Sequence, residues 1–506
     1  VVAAALVLPP AYLVLRALGA GPEAWELLFR VRVLETLLRT LSLVGAVTAA
    51  SIALAVPLAW LTVRTDLPWR RVWGVVTVLP LVIPSYVAGF IVVVALGPRG
   101  MLQQLLAGPF GVERLPDIYG FPGAMLTLAF LTYPYVLIPV RAALARLDPS
   151  LEEISRGMGY RIGTTFRRVT LPLLRPAIAA GALLVALYTL SDFGAVSLLH
   201  YETFTWAIFI QYGALDRTLA ASLSLVLLVL AVGILALEAL TRGRASYHRP
   251  DPGVAHPPPL VRLGWWRWPA LTLCGSVVLL SLVLPVSILG YWVLRGVAAG
   301  EPLLLLWGAA RNSLYVSALA AVAAVAAALP VAILTVRYRG LLSGLLERVT
   351  YVGFALPGIV IALALVFFGV NYATPLYQTR GLLLLAYGTL FLPAAVGAIR
   401  TSLLQASPRL EEAARSLGRT PLQVFTSITL PLVRPGILAG ASLVFLLTMK
   451  ELPATLILSP IGFKTLATSI WGAASEAFFA QAAAPALLLI LASSVPLAFL
   501  ILWERR

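Results

Sequence analysis

The stretch LVGAVTAASIALAVPLAWLTV, residues 43–63, holds no charged side chain. A helix rising ~1.5 Å per residue needs about 20 such residues to cross a hydrocarbon layer ~30 Å thick. Similar runs recur along the chain, for example LAAVAAVAAALPVAILTV at 319–336. Of the 506 residues, 60% are hydrophobic and 11% are charged, against roughly 25% charged in a typical soluble protein. So few charges cannot cover the surface of a soluble fold of this length. A membrane barrel would instead show alternating segments of about ten residues. The chain therefore reads as an all-α polytopic membrane protein with about twelve spans. They lie near 1–18, 40–63, 72–96, 120–140, 176–198, 219–240, 269–294, 312–336, 349–370, 381–399, 435–458 and 481–503.

The net charge of +16 is not gathered on one patch, so it does not indicate nucleic acid. It alternates between loops. Segments 64–71, 141–175, 242–267, 337–348, 400–434 and 505–506 hold 25 of the 37 Lys and Arg residues. Basic loops are retained on the cytoplasmic side during insertion. These loops and both termini are thus expected in the cytoplasm, with the chain in a lipid bilayer. Residues 1–18 read as a retained span, because no basic region precedes the apolar run. Cys274, the one cysteine, lies inside a span and reads as a small hydrophobe.

The chain is also duplicated. VPLAWLTVR (56–64) aligns with LPVAILTVR (329–337), pairing Arg64 with Arg337, and Pro84 pairs with Pro357. Beyond loop 97–119 the offset falls from 273 to 259. Pro134 then matches Pro393, Arg141 matches Arg400, and Asp192 matches Glu451. Across 149–178 against 408–437, 14 of 30 positions are identical. The expected organisation is a first half at 1–241 (core 40–240), a Pro-rich linker at 242–268, and a second half at 269–506 (core 310–503). Trp265, Trp266 and Trp268 would anchor the seventh span at the interface. Six spans per half imply a parallel, pseudo-twofold arrangement rather than an inverted one.

The best-matched segment is polar. PSLEEISRGMG (149–159) returns as PRLEEAARSLG (408–418). Asp148–Pro149 and Ser407–Pro408 suit helix starts. Glu152, Glu153, Glu411 and Glu412 sit at the positive end of the helix dipole. Gly159 and Gly418 suit left-handed stops. Each half thus shows a short helix–turn–helix between its fourth and fifth spans. The plainer reading is an interfacial hairpin that caps the bundle. Two copies with the same caps, acids and stops favour a docking surface for a twofold-symmetric partner.

Here the sequence resembles a family. Glu412-Ala413-Ala414, Gly418, Ile428 and Leu430-Pro431 match the motif of permease subunits of binding-protein-dependent ABC importers. The first copy departs modestly, with Glu153-Ile154-Ser155, Gly159, Val169 and Leu171-Pro172. The resemblance implies that Glu152, Glu153, Gly159, Glu411, Glu412 and Gly418 belong to segments coupling to two ATP-binding cassette subunits on the cytoplasmic side. It further implies one extracytoplasmic solute-binding protein and a bacterial cytoplasmic (inner) membrane location. ATP and Mg would be bound by the partner subunits. A P-loop requires Gly-Lys-Ser/Thr, and the only lysines stand in MKE (449–451) and FKT (463–465). No catalytic residues and no bound cofactor are therefore expected. An ion-driven secondary transporter is the alternative class, although it would usually bury several acids mid-span.

YTLSDFGAVSLL (188–199) and LTMKELPATLIL (447–458) interrupt apolar runs at equivalent places. Asp192, Lys450 and Glu451 are candidates for a gate or translocation path. The competing reading is a snorkelling pair, Asp192 with Lys450. These segments resemble the fused twelve-span permeases of ferric-iron importers, with thiamine, phosphonate, polyamine and sulfate permeases as alternatives. The three histidines, His200, His248 and His256, are scattered and no metal site is expected. Loop 97–119, without counterpart in the second half, is either a disordered insertion or a landing site for the binding protein.

Overall fold

The computed structural model describes residues 2–18, 30–241, 260–300, 305–338 and 340–503. Every named element among them is a helix. Ten are long and apolar enough to span a membrane, and shorter apolar helices occupy Leu6–Leu15 and Gly358–Tyr372. Together they fall on the twelve expected spans. Backbone groups in hydrocarbon must be satisfied within the segment, which is why the apolar runs are mostly helical.

The principal helices are α1 (Val2–Leu18), α2 (Val31–Arg64), α3 (Ser85–Leu96), α4 (Met101–Phe110), α5 (Phe121–Arg146), α6 (Pro149–Gly157), α7 (Leu171–Ser191) and α8 (Gly194–Leu198). They continue with α9 (Phe204–Gly213), α10 (Arg217–Thr241), α11 (Arg267–Val278), α12 (Leu284–Ala298), α13 (Leu305–Arg337), α14 (Leu341–Ala355) and α15 (Gly358–Tyr372). The remainder are α16 (Arg380–Gln405), α17 (Pro408–Ser416), α18 (Leu430–Lys450), α19 (Pro453–Leu458), α20 (Leu466–Ser475) and α21 (Phe479–Trp503).

The chain forms two compact units that cut across the sequence halves. One comprises Leu34–Thr203 and Leu230–Ile288, the other Val1–Val33, Phe204–Val229 and Leu289–Arg506. In the first, α5 packs along α7, and α3 packs against both α5 and α8. The π-turn Leu279–Val283, from the first span of the second sequence half, packs on α5. In the second, α16 packs on α13 and α18, and α15 packs on α19. There α1, from the first sequence half, packs on α14, α15 and α16.

Glycines allow close helix contact in each unit. A Cβ at Gly181 would lie 2.6 Å from the Val136 Cα, and one at Gly440 would lie 3.2 Å from the Ala395 Cα. Small residues at such crossings let backbones approach where no hydrophobic effect drives association. Buried hydroxyls bridge helices as well. Ser51 and Thr132 lie 3.0 Å apart, and the Tyr133 hydroxyl donates to the Thr77 carbonyl at 2.7 Å.

The segment 97–119 is ordered rather than slack. It holds α4, closed by Gln103 Nε2 donating to the Val112 carbonyl and by Leu115 N–H donating to Pro98. Most of the expected linker, with His248 and His256, lies outside the described residues. Its end is stitched to the first unit by a parallel bridge between Thr65 and Val261. Val261 N–H donates to the Arg64 carbonyl at 2.8 Å, and Asp66 Oδ1 accepts from Leu263 N–H at 2.8 Å. Helix resumes at Gly264, four residues before the expected linker end, and carries the exposed Trp265 and Trp266.

Candidate functional site

The duplicated polar segments fold alike. α6 begins after Asp148, whose Oδ1 accepts from the Ser150 N–H at 2.9 Å. That bond holds the carboxyl below its ordinary pKa. Ser407 takes the matching position before α17 but, among the described residues, makes no side-chain bond to the helix. The expected second cap is thus positional only.

Both helices end in the same way. Gly159 has φ 84° and Gly418 has φ 83°. The N–H groups of Gly159 and Tyr160 bond to Arg156 and Ser155; those of Gly418 and Arg419 bond to Arg415 and Ala414. This is the Schellman pattern, which needs a left-handed residue just past the helix. A second short helix follows in each copy, at Ile162–Thr165 and Pro421–Val424. Each then passes through a π-turn, Phe166–Thr170 or Phe425–Thr429, into α7 or α18.

The four expected coupling acids do not act as one group. Glu153 and Glu412 are exposed. Glu152 and Glu411 turn inward, with side chains only 10% and 12% exposed. Glu152 Oε1 lies 3.8 Å from Arg64 Nε and accepts from Thr170 Oγ1 at 2.9 Å. Glu411 Oε1 lies 3.0 Å from Arg337 Nη2 and accepts from Thr429 Oγ1 at 3.2 Å. Neighbouring helical positions differ by about 100°, so one acid of each pair faces the protein while the next faces solvent. The outward faces also carry apolar side chains. Ile154 and Met158 are exposed on the first copy, and Leu410 and Leu417 on the second.

Arg64, Arg337, Thr170 and Thr429 were not singled out as site residues from the sequence. Their signal was present, since each pair occupies matched positions of the duplication.

The interrupted spans break where the charges stand. α7 ends at Ser191 and α18 at Lys450. Asp192 and Glu451 follow in extended conformation, with ψ of 131° and 120°. Asp192 is buried and its Oδ1 accepts from the N–H groups of Ala195 (3.0 Å) and Val196 (3.3 Å) in α8. Glu451 Oε1 accepts from the Ala454 N–H of α19 at 3.1 Å. Both carboxylates therefore cap short helices whose first N–H groups have no partner within the helix. Asp192 belongs to the first unit, and Lys450 and Glu451 to the second. Among the described residues no group of three or more His, Cys, Asp or Glu could hold a metal ion. His200 lies in the turn after α8 with its ring 5.5 Å from that of Tyr119.

Residues 51–242 and 320–506 both match the family described as binding-protein-dependent transport system inner membrane component. The chain is 38% identical over 498 residues to the Fe(3+)-transport system permease protein FbpB 2 of Haemophilus influenzae, covering 97% of this chain and 94% of that protein. It is 26% identical over 473 residues to the ferric transport system permease protein FbpB of Actinobacillus pleuropneumoniae, covering 88% and 66%. A shorter match, 34% over 137 residues, links it to the molybdenum transport system permease protein ModB of Escherichia coli, covering 27% and 58%.

Proposed function

The chain belongs to the family of binding-protein-dependent transport system inner membrane components, and on that premise we propose that it is the fused permease of an importer for ferric iron. The observation that carries the choice of cargo is similarity to an iron permease along nearly the whole chain, both halves included. The shorter molybdenum match covers 27% of the chain and carries less weight. Iron is here the substrate in transit.

In this reading the basic loops face the cytoplasm. The exposed faces of α6 and α17, with Glu153, Ile154 and Met158 on one and Leu410, Glu412 and Leu417 on the other, each receive one ATPase subunit. An apolar centre flanked by charge suits a partner groove. A solute-binding protein docks on the outer side, with α4 as an asymmetric landing element. ATP binding draws the two ATPases together, and α6 and α17 carry the movement into the spans. The path then opens outward, receives the cargo, and resets after hydrolysis. Asp192 and Glu451, at the breaks before α8 and α19, line or gate that path.

The test is reconstitution of the permease with its ATPase and binding protein in sealed vesicles, using radiolabelled ferric iron. Uptake that requires ATP and the binding protein is expected. Uptake that follows a proton or sodium gradient and ignores ATP would contradict it. Competition by thiamine, phosphonate, polyamine or sulfate would move the cargo assignment to that solute.

A further inference from the structure

The same three residue types recur at matched positions where each docking segment meets its spans. Arg64 ends α2. Its Nη2 donates to the Leu147 carbonyl at 3.1 Å, and its Nε faces Glu152. Arg337 ends α13. Its Nη2 donates to the Ala406 carbonyl at 3.1 Å and to Glu411 at 3.0 Å, and its Nε reaches the same carboxylate oxygen at 3.3 Å. Each glutamate then accepts from a threonine in the π-turn that opens the next long helix. All four charged side chains are at most 13% exposed. π-turns are uncommon and concentrate at functional positions.

Without these contacts the docking helices would hang on thin hinges. Between α5 and α6 stand Leu147 and Asp148, both extended, with ψ of 129° and 119°. Between α16 and α17 stand Ala406 and Ser407, with ψ of 118° and 127°. Two extended residues outside a helical ladder can pivot. Arg337 hydrogen-bonds both the Ala406 carbonyl and Glu411, and Arg64 hydrogen-bonds the Leu147 carbonyl while facing Glu152 as a buried ion pair at 3.8 Å, which restrains that freedom in each copy. Charge-assisted bonds shielded from water hold direction better than exposed ion pairs do.

We propose that Arg64–Glu152–Thr170 and Arg337–Glu411–Thr429 are two rigid links that transmit movement of the docking helices to the spans. The arginines and threonines are positioning residues; they do not form the docking face. The proposal rests on reading α6 and α17 as ATPase docking segments.

The test uses the full permease with its ATPase and binding protein in vesicles. Two quantities are read: the amount of ATPase that co-purifies, and the iron delivered per ATP hydrolysed. Arg337→Met and Arg64→Met are expected to retain the ATPase but to lower delivery per ATP by about five-fold or more, the scale of a typical coupling free energy. Arg337→Lys should recover part of the loss, because one ammonium can meet Glu411 but not the Ala406 carbonyl in the same planar fork. Should the arginine variants fail to fold, Thr429→Val and Thr170→Val remove only a hydroxyl donor and should lower the same ratio. An unchanged ratio in the threonine variants, or in folded arginine variants, overturns the proposal. So does loss of bound ATPase in step with uptake, which would place these residues in docking itself. If the wild-type permease neither retains the ATPase nor shows ATP-driven uptake, the functional reading falls and the links fall with it.

Discussion

The Tyr387 hydroxyl lies 2.7 Å from Thr455 Oγ1, both side chains buried, and so ties α16 to the short helix α19. Thr455 also donates to the Glu451 carbonyl at 2.7 Å. The broken span is thus held from two directions. Interhelical hydrogen bonds in membranes average about 0.6 kcal/mol, with a maximum near 1.7. Tyr387→Phe should cost about 1 kcal/mol and lower the detergent melting temperature slightly. A loss of several kcal/mol would show that the pair does more than fasten α19.

Asp192→Asn preserves a capping oxygen for α8, whereas Asp192→Ala does not. Loss of a helix cap costs about 1 kcal/mol. The alanine variant should therefore melt earlier than the asparagine variant. If the carboxylates also gate the path, Asp192→Asn and Glu451→Gln should both lower iron uptake while the complex assembles. Uptake at wild-type level in both would rule out a gating role for the charges.

Adjacent acids should part company on mutation. Glu411→Ala removes one partner of a largely buried pair, a change that costs about 3–5 kcal/mol when the remaining charge is left uncompensated. Glu412→Lys alters an exposed position, where effects on stability stay within about 0.5 kcal/mol. It should instead weaken ATPase binding in a pull-down. Equal melting temperatures for the two variants would contradict the inward orientation of Glu411.

Gly159 and Gly418 hold left-handed backbone, which costs other L-residues about 1–2 kcal/mol. Gly418→Ala should loosen the end of α17, seen as faster amide exchange over 413–419. The space around both glycines is open, so a normal exchange rate would mean that conformation, not crowding, had been misjudged.

Acid should weaken the cap that starts α6. Asp148 has its pKa lowered by the Ser150 N–H bond. Its help to α6 is complete above the unfolded aspartate value of 3.8 and is lost as pH falls below that value toward the lowered one. Amide exchange at successively lower pH, corrected for the intrinsic rate, should show the start of α6 fraying in the wild type, and Asp148→Asn, which caps without titrating, should reduce that pH dependence. An equal pH dependence in Asp148→Asn would count against the cap.

Much of this was legible in the residues. Twelve apolar runs read as twelve spans because hydrocarbon leaves a chain no other way to satisfy its backbone. Gly159 and Gly418 read as stops because left-handed geometry is nearly a glycine property. The duplication read directly from Arg64, Pro84 and Glu153 against Arg337, Pro357 and Glu412. Local spacing could not say which of Glu411 and Glu412 turns inward. Both fit the start of a helix, and the choice depends on Arg337, 74 residues earlier in the chain.

The chain's order of apolar runs and caps thus determined where its helices run and stop, because each depends on residues within a turn or two. Only the tertiary structure decided that α1 packs with helices of the second half and the Leu279–Val283 turn with those of the first. It also decided that Asp192 and Glu451 cap broken helices. These are relations between distant segments, set by which surfaces close best against one another, and no local pattern encodes them.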